Sequence, residues 1–475
     1  MGNSKFGVLL RTKKFIQDDQ LAFARLSGDF NPIHIDNVFS RKTLFGQIIV
    51  HGIHGAMWAI DSLIQNIGAT PSSCKCLFKK PIFLQEDIAS YWDHNKNKLT
   101  IAVGEIELTS ITVNLPQAPH KFSDHFFHDS SPINQLIPLL EPLLPEDCTK
   151  FKTLHDFTNT GRSSLAKLLF PFLYERYGAN LTLELAATSE IVGMQCPGLH
   201  SLFSSIDVVF KEIDGKSHFY LTNFDQRFNK VSIAVHGHSL LASIDAFFRP
   251  PPSDGESFTA ISKMVDANEF KKVNALIIGG SRGIGAVTAK LICAGGGRVT
   301  VTYHSGINDA INLCSEIKSH GGQCNYIHYS VLSTPSTKDL MPPINQVYYF
   351  ASPKIIGESF RRGNLDLDGV YKKYFIDGFV DTCEMLILHN PNCSVFYPST
   401  SFIEEESKEF KSYIDAKIIG EKICTEFNLK NSIRILSVRL PKLPSDQNQS
   451  IFPVNLPKIS NTILPVIRNM MQFTF

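Results

Sequence analysis

A carboxylate and an imidazole stand close together near the start of the chain, in the run Gly28-Asp29-Phe30-Asn31-Pro32-Ile33-His34. Such a pair can bind and activate one water: the carboxylate orients it and the imidazole moves a proton. Gly28 and Pro32 predict a tight loop rather than a helix, able to hold Asp29 and His34 side by side. Asn31 is short and polar, suited to bracing the turn or the water. Alone, Gly-Asp-x-Asn-Pro is also an ordinary turn and His34 an ordinary surface histidine. A second set of chemically useful residues lies far downstream. Ile278-Gly279-Gly280-Ser281-Arg282-Gly283-Ile284-Gly285 follows an apolar strand and opens a helix, so its backbone N–H groups can cradle a pyrophosphate. Tyr413 and Lys417 fall one helical turn apart on one face, where a cation lowers a phenol's pKa and makes it a proton donor.

The elements that must position these groups come from a chain of 475 residues, enough for two or three domains. An apolar fraction of 43% fits a folded protein. The net charge of +1, from 46 basic and 45 acidic side chains, gives no support for nucleic acid or a membrane surface as partner. The cysteines are scattered, and the one close pair, Cys74 and Cys76, has no partner pair. That pattern predicts reduced, buried thiols in a cytoplasmic protein and no metal site. Met1 to Leu10 is too short an apolar run for a signal peptide, and no stretch is long enough for a membrane span.

Two breaks divide the chain. Residues 116–150 are rich in Pro, His and Ser and read as a connection with one short helix around Ile133 to Leu140. Pro250-Pro251-Pro252 cannot sit in a helix or a central strand and starts a linker taken as 251–264. Segments 1–115 and 151–250 share a faint repeat, Gly-aliphatic-His in Gly52-Ile53-His54 and Gly198-Leu199-His200, each ahead of alternating β-type runs. One apolar helix followed by several antiparallel strands suggests a helix wrapped by a sheet, with His54 packed in its core. Segment 265–475 alternates strand and helix signals, which predicts a parallel, doubly wound sheet.

The first run, with His51-Gly52 after it, resembles the MaoC-like, (R)-specific enoyl hydratase family of hot-dog proteins. The resemblance implies that Asp29 and His34 are the acid/base pair, supported by Asn31. It also implies that the Gly52 N–H, at a helix start, is an oxyanion donor to a thioester carbonyl. The 151–250 segment lacks the Asp-x-Asn-x-x-His pattern, so it would be a degenerate second copy. The Gly-rich turn with Tyr413 and Lys417 resembles the short-chain dehydrogenase/reductase family, especially 3-ketoacyl thioester reductases. That resemblance implies a catalytic serine at Ser399, with Ser401 next in line. It further implies NADPH, held by Gly279, Ser281, Gly283, Ile284 and Gly285, with Arg282 on the 2′-phosphate. The sequence departs from that family where Phe350-Ala351-Ser352-Pro353 replaces an Asn-rich stretch. Phe375 stands for the relay asparagine, and Pro441-Lys442 for Pro-Gly.

The expected architecture is thus an α+β double hot-dog region followed by an α/β doubly wound, Rossmann-type domain. The expected function is bifunctional: NADPH-dependent reduction of a 3-ketoacyl thioester, and dehydration of the 3-hydroxyacyl product to the trans-2-enoyl thioester or the reverse hydration. The thioester is on coenzyme A or an acyl carrier protein, and a homodimer is compatible with the sequence. Two alternatives stay open: a hydratase with an inactive reductase-like scaffold, and a non-catalytic acyl-thioester binding module of a larger synthase.

Overall fold

A computed structural model of the chain describes residues 4–116, 143–153, 155–156, 163–252, 255–333, 343–357, 366–430, 433–448 and 454–473. The short helix expected around Ile133 to Leu140 lies outside these residues. The chain forms two compact units, one carrying the described residues up to Pro251 and the other those from Pro252 on.

The first unit opens with β1 (Val8–Lys13), α1 (Gln17–Ser27) and the single turns α2 (Pro32–Ile35) and α3 (Asn37–Ser40). Then come α4 (Gly52–Ile67), β2 (Ser73–Phe78), β3 (Ile88–Asp93), β4 (Lys98–Val103) and β5 (Ile106–Asn114). The later half has β6 (His155–Asp156), α5 (Ser163–Leu169), α6 (Pro171–Glu190) and β7 (Ser201–Phe210). It ends with β8 (His218–Asp225), β9 (Lys230–His236) and β10 (Leu240–Phe248). Helix α4 is buried from Ile53 to Leu63 on every face, as a helix enclosed by a sheet must be.

All ten strands form one antiparallel sheet in the order β1-β3-β4-β5-β2-β7-β10-β9-β8-β6. Read outward from the β2/β7 seam, the two halves have the same connectivity: β2, β5, β4, β3, β1 on one side and β7, β10, β9, β8, β6 on the other. Each half is a strand, a long helix and four strands wrapped on that helix, the hot-dog arrangement. The short motif that hinted at a repeat does not sit in equivalent places, however. His51-Gly52 starts α4, whereas Gly198–His200 is a 3-10 turn between the end of α6 and β7. The real repeat lies in strand order, which three matching residues do not encode.

The second unit contains α7 (Phe258–Ile261), β11 (Asn274–Ile278), α8 (Gly283–Ala294), β12 (Arg298–Tyr303), α9 (Ile307–Ser319) and β13 (Gln323–His328). After them come β14 (Gln346–Tyr349), α10 (Leu367–Lys372), α11 (Gly378–His389), β15 (Ser394–Thr400), α12 (Lys411–Leu429), β16 (Arg434–Leu440) and α13 (Ile459–Phe473). Six parallel strands run in the order β13-β12-β11-β14-β15-β16, so the direction of winding reverses between β11 and β14. In such sheets a ligand crevice opens at the strand ends beside that reversal. The linker read as 251–264 is shorter than expected. Ser257 caps α7, and Phe258 and Ile261 bury into the second unit's core. No helix among the described residues is long and apolar enough to cross a membrane.

Candidate active site

Helix α1 ends at Gly28, whose φ of 85° turns the chain and delivers Asp29 beneath α4. The stretch that follows is not the simple loop that Gly28 and Pro32 suggested. Pro32 sits at the first position of α2, where its fixed φ favours a helical turn, and the Asn31 side chain caps it by accepting from the Ile33 N–H at 3.2 Å. His34 therefore projects from a helical turn. Its Nδ1 lies 2.9 Å from the Ile49 carbonyl, so Nδ1 carries the proton and Nε2 is left as the acceptor.

One oxygen of Asp29 and one nitrogen each of His34 and His51 lie within 4.8 Å of one another. Asp29 and His51 are buried, at 2% and 0% exposure, while His34 keeps an exposed edge. Among the described residues, the trio thus opens on the His34 side. The His34 and His51 rings stack at 3.9 Å between centroids, and His51 is the residue before α4. Gly52 is partly exposed where the rest of the helix start is buried, and its N–H has no acceptor within the helix. The structure therefore brings Asp29, His34 and Gly52 to one place. His54 packs in the core instead, stacked on Phe23 at 4.6 Å.

The trio has the spacing of a cation site, but its atoms are already engaged. His51 Nδ1 faces Gln20 Oε1 at 2.9 Å and Nε2 faces the Asp29 carbonyl at 3.0 Å. Asp29 accepts from Ser189 Oγ at 2.7 Å and from the Asn31 N–H at 3.1 Å. One free imidazole nitrogen, His34 Nε2, suits proton transfer better than metal ligation.

Burial pushes the Asp29 carboxyl up to about 6, with the Ser189 and Asn31 hydrogen bonds pulling the other way. Burial lowers His34 to about 4, helped by the charge of Arg249. At neutral pH the pair is a carboxylate beside a neutral imidazole. Glu190, also buried, is pushed up to about 7 by desolvation and by Asp29.

Sequence reasoning missed the contribution of the later half. The end of α6 and the π-helical turn after it (Ile191–Gln195) clamp Asp29 from across the seam. Ser189 donates to its carboxylate, and Asn31 Nδ2 donates to the Gly193 carbonyl at 3.1 Å. Gly193 lies so close that a Cβ there would overlap the Asp29 carboxylate. The first turn of α6, ahead of the bend at Gly178, is closed by a side chain. The N–H groups of Phe172 and Leu173, at the start of α6, donate to Asp61 Oδ1 at 2.8 and 2.9 Å.

In the second unit, Gly279, Ser281 and Arg282 form the turn after β11, and Gly283, Ile284 and Gly285 open α8. Gly279 and Gly283 take φ of 74° and 54°, and the backbone of this turn fits a pyrophosphate. The side chains fit a dinucleotide less well. Arg282, expected to meet a 2′-phosphate, is gripped by Asp446 at 2.6 and 3.0 Å and lies 3.4 Å from Asp309. Ser399 lies on the β15 face that packs on α12, as Tyr397 does two residues before it, but it is engaged away from Tyr413. It donates to Glu421 at 2.6 Å, and Thr400 is the hydroxyl hydrogen-bonded to Tyr413. Ser401 donates to Glu405 at 3.3 Å. Tyr413 is buried among Tyr371, Phe375 and Phe402, and burial pushes its phenol up to about 12 rather than down. Lys417 donates to the Pro398 carbonyl at 2.7 Å and sits 4.0 Å over the Phe375 ring. Its ammonium is lowered to about 7 by burial, so it is a weak source of positive charge for Tyr413.

Residues 8–114 match the MaoC-like domain family. The (R)-specific enoyl-CoA hydratase of Aeromonas caviae is 30% identical over 110 residues, covering 22% of this chain and 72% of that protein. The mitochondrial 3-hydroxyacyl-[acyl-carrier-protein] dehydratase of Arabidopsis thaliana is 31% identical over 87 residues, 17% of this chain and 49% of that protein, about half its length. Among solved structures, a short-chain dehydrogenase from Burkholderia cenocepacia in complex with NADP is similar over 43% of this chain and 92% of its own, at 16% identity and a TM-score of 0.37. With the match over residues 8–114 and the hydratase covered for most of its length, this chain belongs to the MaoC-like family.

Proposed function

We propose that the first unit hydrates a trans-2-enoyl thioester to the 3-hydroxyacyl thioester and catalyses the reverse dehydration. The observation that carries this reading is the clustering of Asp29 and His34 beside the α4 start, open at His34. In hydration, the Asp29 carboxylate and His34 Nε2 hold one water. Its oxygen bonds the β carbon, and the pair takes up one of its protons and returns one to the α carbon. The Gly52 N–H stabilises charge on the thioester oxygen in between. Both named relatives carry out chemistry of this class, on coenzyme A and carrier-protein thioesters in turn. The test is hydration of crotonyl thioesters on coenzyme A and on carrier protein, with Asp29→Asn as control. Turnover lost in the variant supports the enzyme. Absence of turnover in the unmutated chain, with thioester still bound, favours a binding module.

A second activity, NADPH-dependent reduction of the 3-ketoacyl thioester, is the companion reading for the second unit. The strand order and the Gly-rich turn favour it. The backbone of residues 279–285 would hold the pyrophosphate, and the cofactor would supply hydride. The buried Tyr413, the neutralised Arg282 and a Ser399 hydroxyl held by Glu421 favour a reductase-like scaffold instead. Consumption of NADPH with acetoacetyl thioester separates the two.

A further inference from the structure

Arg249 directly follows β10 and is 2% exposed, one of the largest wholly buried side chains in the chain. Its Nη2 donates to the Leu199 carbonyl at 2.7 Å, and its guanidinium lies over the Phe39 ring at 5.5 Å. Its Nε and Nη1 are buried and have no hydrogen-bond partner. It forms no ion pair with a carboxylate among the described residues. A guanidinium remains charged when buried: desolvation lowers this one only to about 10. Buried charge without a counter-charge is expensive, and folded proteins retain it where a partner is supplied.

The place of Arg249 indicates where that partner arrives. The Leu199 carbonyl that it holds also accepts from Asn31 Nδ2, at 3.3 Å, and Asn31 caps the turn bearing His34. The Arg249 charge is felt at both His34 and His200. His200 offers a second buried nitrogen, Nδ1, that has no partner. Phe39 belongs to α3, the turn after the one that carries His34. Two side chains that keep unpartnered buried nitrogens thus lie near the acid/base pair. No carboxylate among the described residues answers them.

We infer that Arg249 and His200 form a subsite for an oxyanion carried by the thioester substrate. This rests on the hydratase reading and names a substrate class for it. A guanidinium with two free N–H-bearing nitrogens recognises carboxylate and phosphate oxygens alike. The oxyanion is therefore a carboxylate at the far end of the acyl chain or the phosphate of a phosphopantetheine arm.

Three enoyl thioesters distinguish these sources: crotonyl-N-acetylcysteamine, which is uncharged; glutaconyl-N-acetylcysteamine, with a carboxylate on the acyl end; and crotonyl-4′-phosphopantetheine. Removing the Arg249 charge also alters His34, so the informative quantity is the ratio of kcat/KM between an anionic and the neutral substrate. In Arg249→Met this ratio should fall at least tenfold for the substrate whose oxyanion uses the subsite. Arg249→Lys should restore part of it. An unchanged ratio for both anionic substrates overturns the subsite and leaves Arg249 a structural residue. If the unmutated chain hydrates none of the three, the hydratase reading fails by itself. The subsite is then read from thermal unfolding: glutarate or inorganic phosphate should protect the unmutated chain and not Arg249→Met. Equal protection, or none, overturns it. Should Arg249→Met not fold, His200→Phe takes its place in the same comparisons.

Discussion

Ser189 Oγ donates a 2.7 Å hydrogen bond to Asp29 Oδ2, joining the end of α6 to the turn after α1 across 160 residues of chain. The carboxylate of one half of the sheet is thus set by a hydroxyl of the other. That bond favours the ionised form, so its loss must move the Asp29 titration upward from about 6. Hydration that needs the carboxylate falls as pH drops through this value. In Ser189→Ala the acid limb of the kcat/KM–pH profile should shift up, by about one unit at most, while the basic side stays in place. An acid limb that does not move would show that Asp29 is not the group titrating there.

Asp29→Asn should lower kcat by about 10²–10⁴-fold, the usual contribution of a positioned acid/base group. It should also stabilise the fold. The folded carboxyl has a raised pKa, so its contribution to stability is complete below the unfolded value near 4 and is lost as pH rises through about 6. At pH 7.5 the charged group therefore costs stability on the order of 3 kcal/mol, which asparagine avoids. Chemical denaturation at pH 7.5 should find the variant more stable, and at pH 4 the difference should largely vanish. A less stable variant at pH 7.5 would mean that the hydrogen bonds from Ser189 and Asn31 outweigh desolvation.

Gly193→Ala places a methyl group where the Asp29 carboxylate lies, at a π-helical turn that also anchors Asn31. Either Asp29 rotates or the turn shifts, and both misplace the acid/base pair. A displacement of about 1 Å costs roughly 10²-fold in rate. The expected result is a kcat reduced at least that much with thermal stability down by only a few degrees, measured by hydration kinetics and a melting curve on one preparation.

These contacts explain how much the sequence could show. Asp29, Asn31 and His34 were legible because all three fall within six consecutive residues at and just before one capped turn. The start of α4 was legible because His51-Gly52 leads a long apolar run. Ser189, Gly193 and Arg249 come from the later half, are common residue types, and carry no local pattern, so only folding brings them to Asp29 and His34. Ser399 is held by Glu421 rather than bonded to Tyr413. Alternation along β15 does put Ser399 on the α12 face, but it says nothing of Glu421, which takes the hydroxyl two helical turns beyond Tyr413. The expected lowering of Tyr413 failed for another reason. Helical spacing placed Lys417 correctly, but spacing says nothing of the aromatic cluster that desolvates both groups.

The second unit's cofactor reading can be tested at Arg282. Asp446 presents two oxygens to this guanidinium, as a phosphate would, and its carbonyl accepts from Lys354 at 3.0 Å. Its neighbour Ser445 comes within 3.7 Å of where a side chain at Gly283 would begin, so the segment after β16 lies against the Gly-rich turn. A dinucleotide's phosphates would meet a carboxylate there and would have to take Arg282 from it. Asp446→Asn keeps the shape, removes the charge and frees the guanidinium. If the turn is a nucleotide cradle blocked by that charge, the variant should bind NADPH at least tenfold tighter, a gain of about 1.4 kcal/mol. NADP should gain more than NAD, because only NADP carries the 2′-phosphate. Titration of NADPH fluorescence in the full chain measures this. Equal and negligible binding by both proteins would show that the turn keeps its shape for packing alone.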